Sequence, residues 1–195
     1  MNYQKIVEVI GNVDIYVIDQ ILKQRYLPTH KILDAGCGSG RNLKWFYNNT
    51  FDVSGIDLDA ERITEAKKSY PKSSENFSIG SVDHLPYTET SFDHIICCAV
   101  LHFAQSETHF TAMFSELVRV LKPNGTLLVR MASNIGLDGK APFVQDGLSN
   151  QNGTYYLTRA RIAELLENYC LELLEPIKTT NVQDIRAMTT LVLQK

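Results

Sequence analysis

Residues 32–42, ILDAGCGSGRN, carry the strongest fold signal of this sequence. The apolar start is typical of a buried strand, and Gly36, Gly38 and Gly40 follow it directly, before a helical stretch that begins near Arg41. Glycines let backbone N–H groups approach a ligand closely, and a helix N-terminus behind them favours negative charge. The segment therefore predicts a strand, a glycine turn and a helix that form one side of a ligand site.

Short apolar runs recur on either side of this turn, with helical patterns between them. The runs fit buried strands at 31–35, 52–57, 94–100 and 126–131. Such alternation indicates a parallel sheet with helices on both faces. We therefore predict an α/β fold, doubly wound.

The predicted helices begin at capping residues or show an apolar face. They are 60–69 after Asp59, 107–121 after Ser106, and a C-terminal helix that Thr158 opens. Near the start of the chain, Ile15, Ile18 and Leu22 give an apolar face to a helix that ends before Pro28. We therefore expect residues 1–28 to form an N-terminal helical segment.

The last third of the chain predicts two strands, over 171–178 and 187–194. The connection between them is too short for a parallel crossover, so they should pair antiparallel. Residues 133–153 are rich in Gly, Asn and Asp and predict one long loop on the substrate side of the site.

The spacing of the glycine turn argues against a dinucleotide-binding protein. That fold requires G-x-G-x-x-G/A, and Arg41 occupies the last small position. G-x-G-x-G preceded by Asp34 instead resembles the first motif of class I S-adenosylmethionine (SAM)-dependent methyltransferases. Later segments are similar to further motifs of that family: GIDLD at 55–59, the stretch 80–103, and ELVRVLKPNGTLLV at 116–129.

The resemblance covers roughly residues 31–131 in the family's order. It implies a Rossmann-like, seven-stranded, mostly parallel sheet with an antiparallel last strand, and SAM as the cofactor. Within the family, the pattern is most similar to small-molecule enzymes of the ubiquinone-biosynthesis and tellurite-resistance types.

The same resemblance implies a cofactor-binding set. Its members are Asp34, Ala35, Gly36, Gly38, Gly40, Arg41, Asp57, Leu58, Asp83, His84 and Cys98. Asp57 would bind the ribose hydroxyls and Asp83 the adenine amino group, with Leu58 and His84 beside the ring. The glycine loop would carry the methionyl part, with Arg41 near its carboxylate and the backbone carbonyl near Cys98 accepting from its ammonium.

Three of these roles have structural alternatives. Asp34 could only hydrogen-bond the turn, Arg41 could be a solvated first-turn residue, and His84 could be an exposed loop residue. A positive charge at a helix start costs about 0.3–1 kcal/mol unless an anion is present, which favours a ligand role for Arg41.

One residue is a candidate for the chemistry itself. His102 follows the fourth predicted strand, at the edge of the sheet where α/β proteins bind ligands. A histidine pKa near 6.5 suits proton removal from an oxygen or nitrogen nucleophile. The alternative is a partly buried histidine that packs beside Phe103. Arg130, at the end of the fifth predicted strand, could hold an anionic substrate or be an ordinary surface charge.

Composition excludes several other classes. The 195 residues suit a single domain over 1–195, and a net charge of −3 with scattered Lys and Arg argues against nucleic acid as a partner. No signal or membrane-spanning segment is evident, so we expect a soluble cytoplasmic protein without a membrane partner. The four cysteines, Cys37, Cys97, Cys98 and Cys170, have neither disulfide nor metal spacing and are expected to be buried thiols.

The sequence thus predicts an enzyme that moves the SAM methyl group to a small molecule by direct in-line transfer, as a monomer or homodimer. Residues 97–102, CCAVLH, lack the Asn-Pro-Pro-Tyr or Asp-Pro-Pro-Tyr run typical of base-amino methyltransferases, so adenine in DNA is an unfavoured acceptor. Two alternatives stay open: a non-catalytic SAM-binding or interaction module with the same fold, and a nicotinamide-dependent oxidoreductase.

Overall fold

A computed structural model describes residues 3–137 and 153–195, together with two short strands between these ranges. The helices are α1 (Tyr3–Ile10), α2 (Ile15–Leu22), α3 (Lys44–Asn48), α4 (Ala60–Ser69), α5 (Glu107–Val120) and α6 (Arg159–Asn168). The strands are β1 (Lys31–Ala35), β2 (Asp52–Asp57), β3 (Phe77–Ile79), β4 (Phe92–Cys98), β5 (Leu121–Ser133), β6 (Val144–Gln145), β7 (Leu148–Ser149), β8 (Glu172–Leu173), β9 (Lys178–Val182) and β10 (Arg186–Gln194). Short 3-10 turns lie at Arg41–Leu43, Pro71–Asn76 and Leu101–Phe103.

One mixed sheet organises the molecule, in the strand order β3-β2-β1-β4-β5-β10-β8. The pairs among β1 to β5 are parallel, and β10 is antiparallel to β5 and to β8. The seven strands and the antiparallel pairing at the C-terminal end agree with the predicted sheet, but the strand predicted over 171–178 is reduced to the two residues of β8, and β9 begins only at Lys178. β9 pairs with β10 as an additional, eighth strand, and β6 with β7 form a separate two-stranded sheet.

The sheet is covered on both faces, as predicted for a doubly wound fold. On one face, α5 and α6 contribute residues such as Phe110, Phe114 and Ile162 to a core of buried side chains. On the other face, α2, α3 and α4 bury Val17, Phe46 and other apolar residues against the same strands. Burial of this apolar surface is the main stabilising contribution to the fold.

The predicted helix starts are confirmed in detail. Ser106, Asp59 and Thr158 are the N-caps of α5, α4 and α6, and the side chain of each accepts hydrogen bonds from backbone N–H groups of the first turn. These bonds satisfy donors that a helix leaves free at its start.

The predicted apolar face of α2 is wrong. Ile15 and Leu22 are 69% and 75% exposed, whereas Val17 is fully buried and Ile18 and Ile21 pack partly against the core. The helix is apolar on most sides, so its sequence alone leaves the inward face undetermined. Tertiary packing selects the face that contains residues 17, 18 and 21.

Two further expectations need correction or restriction. Cys37, Cys97 and Cys98 are buried free thiols, but Cys170 is exposed.

The loop expected over 133–153 lies mostly outside the described residues. Ser133 itself ends β5, and β6 and β7 fall within the range. In the described ranges, no helix combines the length and the apolar character that crossing a bilayer requires.

Candidate active site

A cavity of about 530 Å³ opens at the carboxyl ends of β1, β2 and β4. β1 and β4 are neighbours in the sheet, but the connection after β1 runs to β2 on one side and the connection after β4 runs to β5 on the other. Ligands of open α/β sheets bind at such a switch point. The volume is within the range of about 300–1,000 Å³ common for small-molecule sites. Six of the predicted cofactor residues line it: Gly36, Gly38, Arg41, Asp57, Leu58 and Cys98.

The glycine turn forms the floor of this cavity. Gly36 has a φ of +76°, and a Cβ at that position would lie 2.2 Å from a methyl carbon of Val100. Only glycine fits there without displacing the turn that follows β4. Gly40 lies outside the described lining of the cavity and contacts Tyr70, whose hydroxyl donates to the Gly40 carbonyl at 2.7 Å.

Asp57 joins the second strand to the glycine turn. Its Oδ2 accepts a hydrogen bond from Gly38 N at 2.7 Å, and its Oδ1 accepts from Asp59 N at 3.0 Å. A carboxylate has about four lone-pair sites, so both oxygens retain acceptor capacity toward the cavity. The carboxylate is therefore fixed in position and still able to accept from a diol.

Asp34 lies beneath the turn and is fully buried, as is its neighbour Ala35. Neither carboxylate oxygen of Asp34 has a well-formed hydrogen bond with a residue that the structure describes, although the side chain of Asn42 lies close to it. Burial raises the pKa of this carboxyl to about 7, while the positive charge of Arg41 and the polar contact from Asn42 act in the opposite direction. A buried carboxyl with unfilled acceptor capacity beside a ligand cavity fits a ligand that brings a cationic group.

Asp83 and His84, predicted at the adenine end, stand apart from the other residues. Asp83 is half-buried near the rim, where its Oδ2 lies 3.7 Å from His109 Nε2, and His84 is exposed. Leu58 is 72% exposed and does line the cavity. The structure thus brings Leu58 to the cavity wall, while Asp83 and His84 lie outside its described lining.

Arg41 reaches from the turn to the N-terminal segment. Its Nη1 donates to the Asn12 carbonyl at 3.1 Å, and its Nη2 lies 3.9 Å from Oδ2 of the buried Asp14. Asp14 therefore supplies an anion near this helix start, so the positive charge of Arg41 does not require a ligand to offset it. Arg41 also lines the cavity, so its guanidinium can contact either Asp14 or a bound ligand.

His102 lies on the 3-10 turn after β4, outside the described lining of the cavity, while its neighbour Phe103 lines it. The two rings are 4.5 Å apart between centroids. His102 Nδ1 is buried without a hydrogen-bond partner among the described residues. Burial and the positive charge of Arg130 lower the pKa of His102, which favours the neutral imidazole at pH 7.

Several cavity residues were not anticipated from the sequence. His109 and Met113 come from the first turns of α5, Arg62 from α4, and Phe103 from the turn after β4. The helical spacing of His109 and Met113 indicates a shared face, but their position over the cavity depends on how α5 packs on the sheet. Among the described residues, no group of three or more His, Cys, Asp or Glu side chains is arranged to hold a metal ion.

Comparison with known proteins gives the same family from sequence. A profile described as "Methyltransferase domain" matches residues 33–129. The uncharacterized methyltransferase YodH of Bacillus subtilis is 32% identical over 105 residues, which are 52% of this chain and 42% of that protein. The chain covers less than two thirds of the length of each of the first curated relatives it matches.

Solved structures agree on the fold. A SAM-dependent methyltransferase from Methanosarcina mazei superposes with a TM-score of 0.71 at 20% identity, covering 90% of this chain and 96% of that one. A TehB-like SAM-dependent methyltransferase from Corynebacterium glutamicum gives 0.67 at 23% identity, with 98% and 94% covered. These two structures show the shared fold. The methyltransferase-domain profile over residues 33–129, together with the methyltransferase relatives, shows that the chain belongs to the class I SAM-dependent methyltransferases.

Proposed function

We propose that this protein transfers a methyl group from SAM to a small-molecule acceptor, and that residues 1–195 act as one methyltransferase domain. The observation that carries the proposal is the hydrogen bond from Gly38 N to Asp57 Oδ2 at the cavity floor. It joins a turn able to contact the amino-acid part of a ligand to a carboxylate able to accept from ribose hydroxyls.

The cavity residues suit the chemical groups of SAM. We propose that Asp57 binds the ribose hydroxyls, that Leu58 contacts the adenine ring, and that Asp83 takes the adenine amino group. Asp83 stands at the rim beside His109, within reach of a ligand that extends from the cavity. His84 is kept as a proposed adenine neighbour, although its exposure supports that role least.

The methionyl end has its own set of proposed contacts. The buried carboxyl of Asp34, whose acceptor capacity is largely unfilled, supports electrostatic attraction toward the ammonium group. Ala35, Gly36, Gly38 and Gly40 shape the loop that receives this part, and the backbone carbonyl of Cys98 accepts from the ammonium. Arg41, which lines the cavity, lies on the side proposed for the carboxylate.

SAM supplies, when bound, a methyl group that its sulfonium has already activated. The protein then contributes alignment of the acceptor atom with the methyl carbon and sulfur, an effect that can supply about 7–11 kcal/mol. We propose that neutral His102 accepts the proton that the acceptor oxygen or nitrogen loses. Its lowered pKa supports this role, because an unprotonated imidazole is available at pH 7.

Calorimetry with SAM and with its demethylated product, S-adenosylhomocysteine, tests the cofactor. We expect both to bind, and if neither binds at millimolar concentration, the proposal fails. Turnover is tested by incubating the protein with SAM and a metabolite library, and by measuring the methylated products. Binding without any turnover would favour the non-catalytic alternative.

His102→Ala tests the proposed base separately. We expect turnover to fall by about 100-fold or more, because general-base catalysis commonly contributes about 10²–10⁴-fold. Affinity for SAM should change little, since His102 lies outside the described cavity lining. Full activity in the variant would remove His102 from the mechanism.

A further inference from the structure

Arg130 lies beside the cofactor cavity but outside its described lining. It occupies β5 directly opposite Cys98 of β4, which does line the cavity. Leu128, two residues earlier on β5, packs in the same core as Cys98 and Val17 of α2, so Arg130 projects toward the face that α2 covers. The guanidinium is thus one strand beyond the cavity, toward β10.

The surroundings of Arg130 carry more positive than negative charge. We call Asp14, Tyr16, Arg41 and Arg130 the Asp14 cluster. Oδ2 of Asp14 lies 3.3 Å from Arg130 Nη1 and 3.9 Å from Arg41 Nη2, so two guanidinium groups share one carboxylate that is only 5% exposed. The Tyr16 ring lies 5.5 Å from Arg130 Cζ, a cation–π contact that adds no negative charge.

Other charges nearby do not alter this imbalance. Lys178 Nζ lies 5.9 Å from the centroid of the Tyr16 ring and is paired with Asp19 and Glu175 at 2.7 and 2.9 Å, carboxylates that Lys23 also contacts. Asp34, buried beneath the glycine turn, is a second carboxyl on which the charge of Arg41 acts, but burial raises its pKa to about 7, so it is only partly ionised at neutral pH. Two guanidinium groups therefore face Asp14 and a partly ionised Asp34, which leaves part of one positive charge uncompensated.

Hydrogen-bonding capacity beside Arg130 is also unfilled. Nε of Arg130 is buried and has no partner among the described residues. Thr190 stands opposite Arg130 in the antiparallel pair of β5 and β10, and its Oγ1 is likewise buried and unpartnered within the described part of the chain. Buried polar groups in proteins are nearly always satisfied, so two orphans side by side point to a missing polar ligand.

We propose that Arg130 binds a carboxylate of the methyl acceptor, so that the acceptors of this site are small carboxylic acids. The inference rests on the proposed function. Arg41 and Arg62 line the cofactor cavity and are available to the carboxylate of SAM, whereas Arg130 lies farther along the sheet, where its charge acts on His102. A planar guanidinium is also the donor that matches a carboxylate best.

The test measures binding to protein saturated with S-adenosylhomocysteine. The probes are acetate, hexanoate, benzoate and phenylacetate, each paired with its neutral carboxamide, and affinities come from calorimetry and ligand-observed NMR. We expect at least one acid to bind about tenfold more tightly than its amide, as a charge-assisted hydrogen bond requires. Arg130→Gln should bring that ratio close to one, and Arg130→Lys should keep part of it.

Arg186→Gln is the matched control, because it removes the same charge from an exposed position on β10. It should leave the ratio of acid to amide affinity unchanged. Circular dichroism of Arg130→Gln and Arg130→Lys shows whether each variant is folded. If neither variant folds, the comparison of acids with amides in the unmodified protein still tests whether the site prefers carboxylates.

A second titration separates the acceptor from the cofactor as the source of the carboxylate. S-adenosylhomocysteine carries a carboxylate and methylthioadenosine does not. We expect Arg130→Gln to bind both with nearly unchanged affinity. Weaker binding of the first alone would assign Arg130 to the cofactor and overturn the proposal.

Two further outcomes would overturn the inference: no acid binds, or the ratio of acid to amide survives in Arg130→Gln. In both cases S-adenosylhomocysteine still binds the unmodified protein, and the proposed function stands. If S-adenosylhomocysteine itself does not bind, the proposed function fails, and this inference fails with it.

Discussion

Asp57 is the residue on which the proposed cofactor site depends most. It holds the glycine turn through Gly38 N and faces the cavity. We expect Asp57→Ala to weaken binding of S-adenosylhomocysteine by roughly 10–100-fold, because hydrogen bonds to charged groups contribute about 1.5–3 kcal/mol. Calorimetry measures the change.

Asp52→Ala is the control for that change. Asp52 begins the same strand at its far end and is largely exposed. The control should bind S-adenosylhomocysteine like the unmodified protein. If Asp57→Ala and Asp52→Ala bind S-adenosylhomocysteine equally tightly, Asp57 contributes only to the fold.

His94 makes stability depend on pH at a place remote from the cavity. It is buried near the start of β4, with its Nδ1 2.7 Å from Thr126 Oγ1 and its Nε2 2.7 Å from His30 Nδ1. Burial, with a smaller contribution from His30, lowers its pKa from 6.5 to about 4. Between these values the unfolded chain binds more protons than the folded one, so the free energy of unfolding falls as the pH falls.

The contribution of His94 is fully present above pH 6.5 and is lost progressively down to about pH 4. It amounts to about 3 kcal/mol at most, since one pKa unit corresponds to about 1.4 kcal/mol. Urea unfolding of the unmodified protein and of His94→Phe over this pH range should show a flatter dependence in the variant. The exposed His84→Gln serves as control, and identical slopes in His94→Phe and the unmodified protein would contradict the assignment.

At the scale of elements, α5 links the core to the site. Its apolar face packs on the sheet while His109 and Met113 line the cavity. Ser106 caps its start, with Oγ accepting from His109 N at 3.0 Å. We expect Ser106→Ala to lower the free energy of unfolding by about 1 kcal/mol, and Ser106→Asp to restore most of it.

Urea unfolding measures this loss, and binding of S-adenosylhomocysteine should weaken with it because the capped turn carries His109. Thr158→Ala removes the equivalent cap of α6, which contributes no described residue to the cavity, and should cost stability without affecting binding. A loss of binding in both variants would contradict a specific role for the first turn of α5.

How far the sequence predicted each element depended on the strength of its pattern. β1 and β2 have the predicted bounds because each is a short segment with apolar residues at its centre that ends just before the glycine turn or the N-cap Asp59. β3 has three residues and β9 is polar and largely exposed, so neither carries a periodic signal. The face of α2 could not be predicted, since Ile15 and Val17 are equally apolar and only packing distinguishes them.

At the scale of the whole molecule, the site combines signals of different range. The glycine turn and Asp57 are local motifs, and the sequence placed them correctly at neighbouring strand ends. Phe103, His109 and the Asp14 cluster come together through contacts between distant segments, such as Asp14 with Arg130. A single sequence has no local pattern for such contacts, so these residues become visible only in the folded chain.

The two cores lie on opposite faces of one sheet and share its strands, so the described elements should unfold as one cooperative unit. A ligand that binds only the folded state at about 100 times its dissociation constant adds about 2.7 kcal/mol, which corresponds to roughly 5–10 °C in thermal midpoint for a chain of this size. We therefore expect S-adenosylhomocysteine to shift a single melting transition upward by that amount, and NADH at the same concentration to leave it unchanged.

Asp57→Ala should melt in one transition but respond weakly to S-adenosylhomocysteine, because the lost carboxylate acts on the ligand. Two separate transitions would contradict the single-domain proposal, and stabilisation by NADH in place of S-adenosylhomocysteine would return the site to the nicotinamide-dependent alternative.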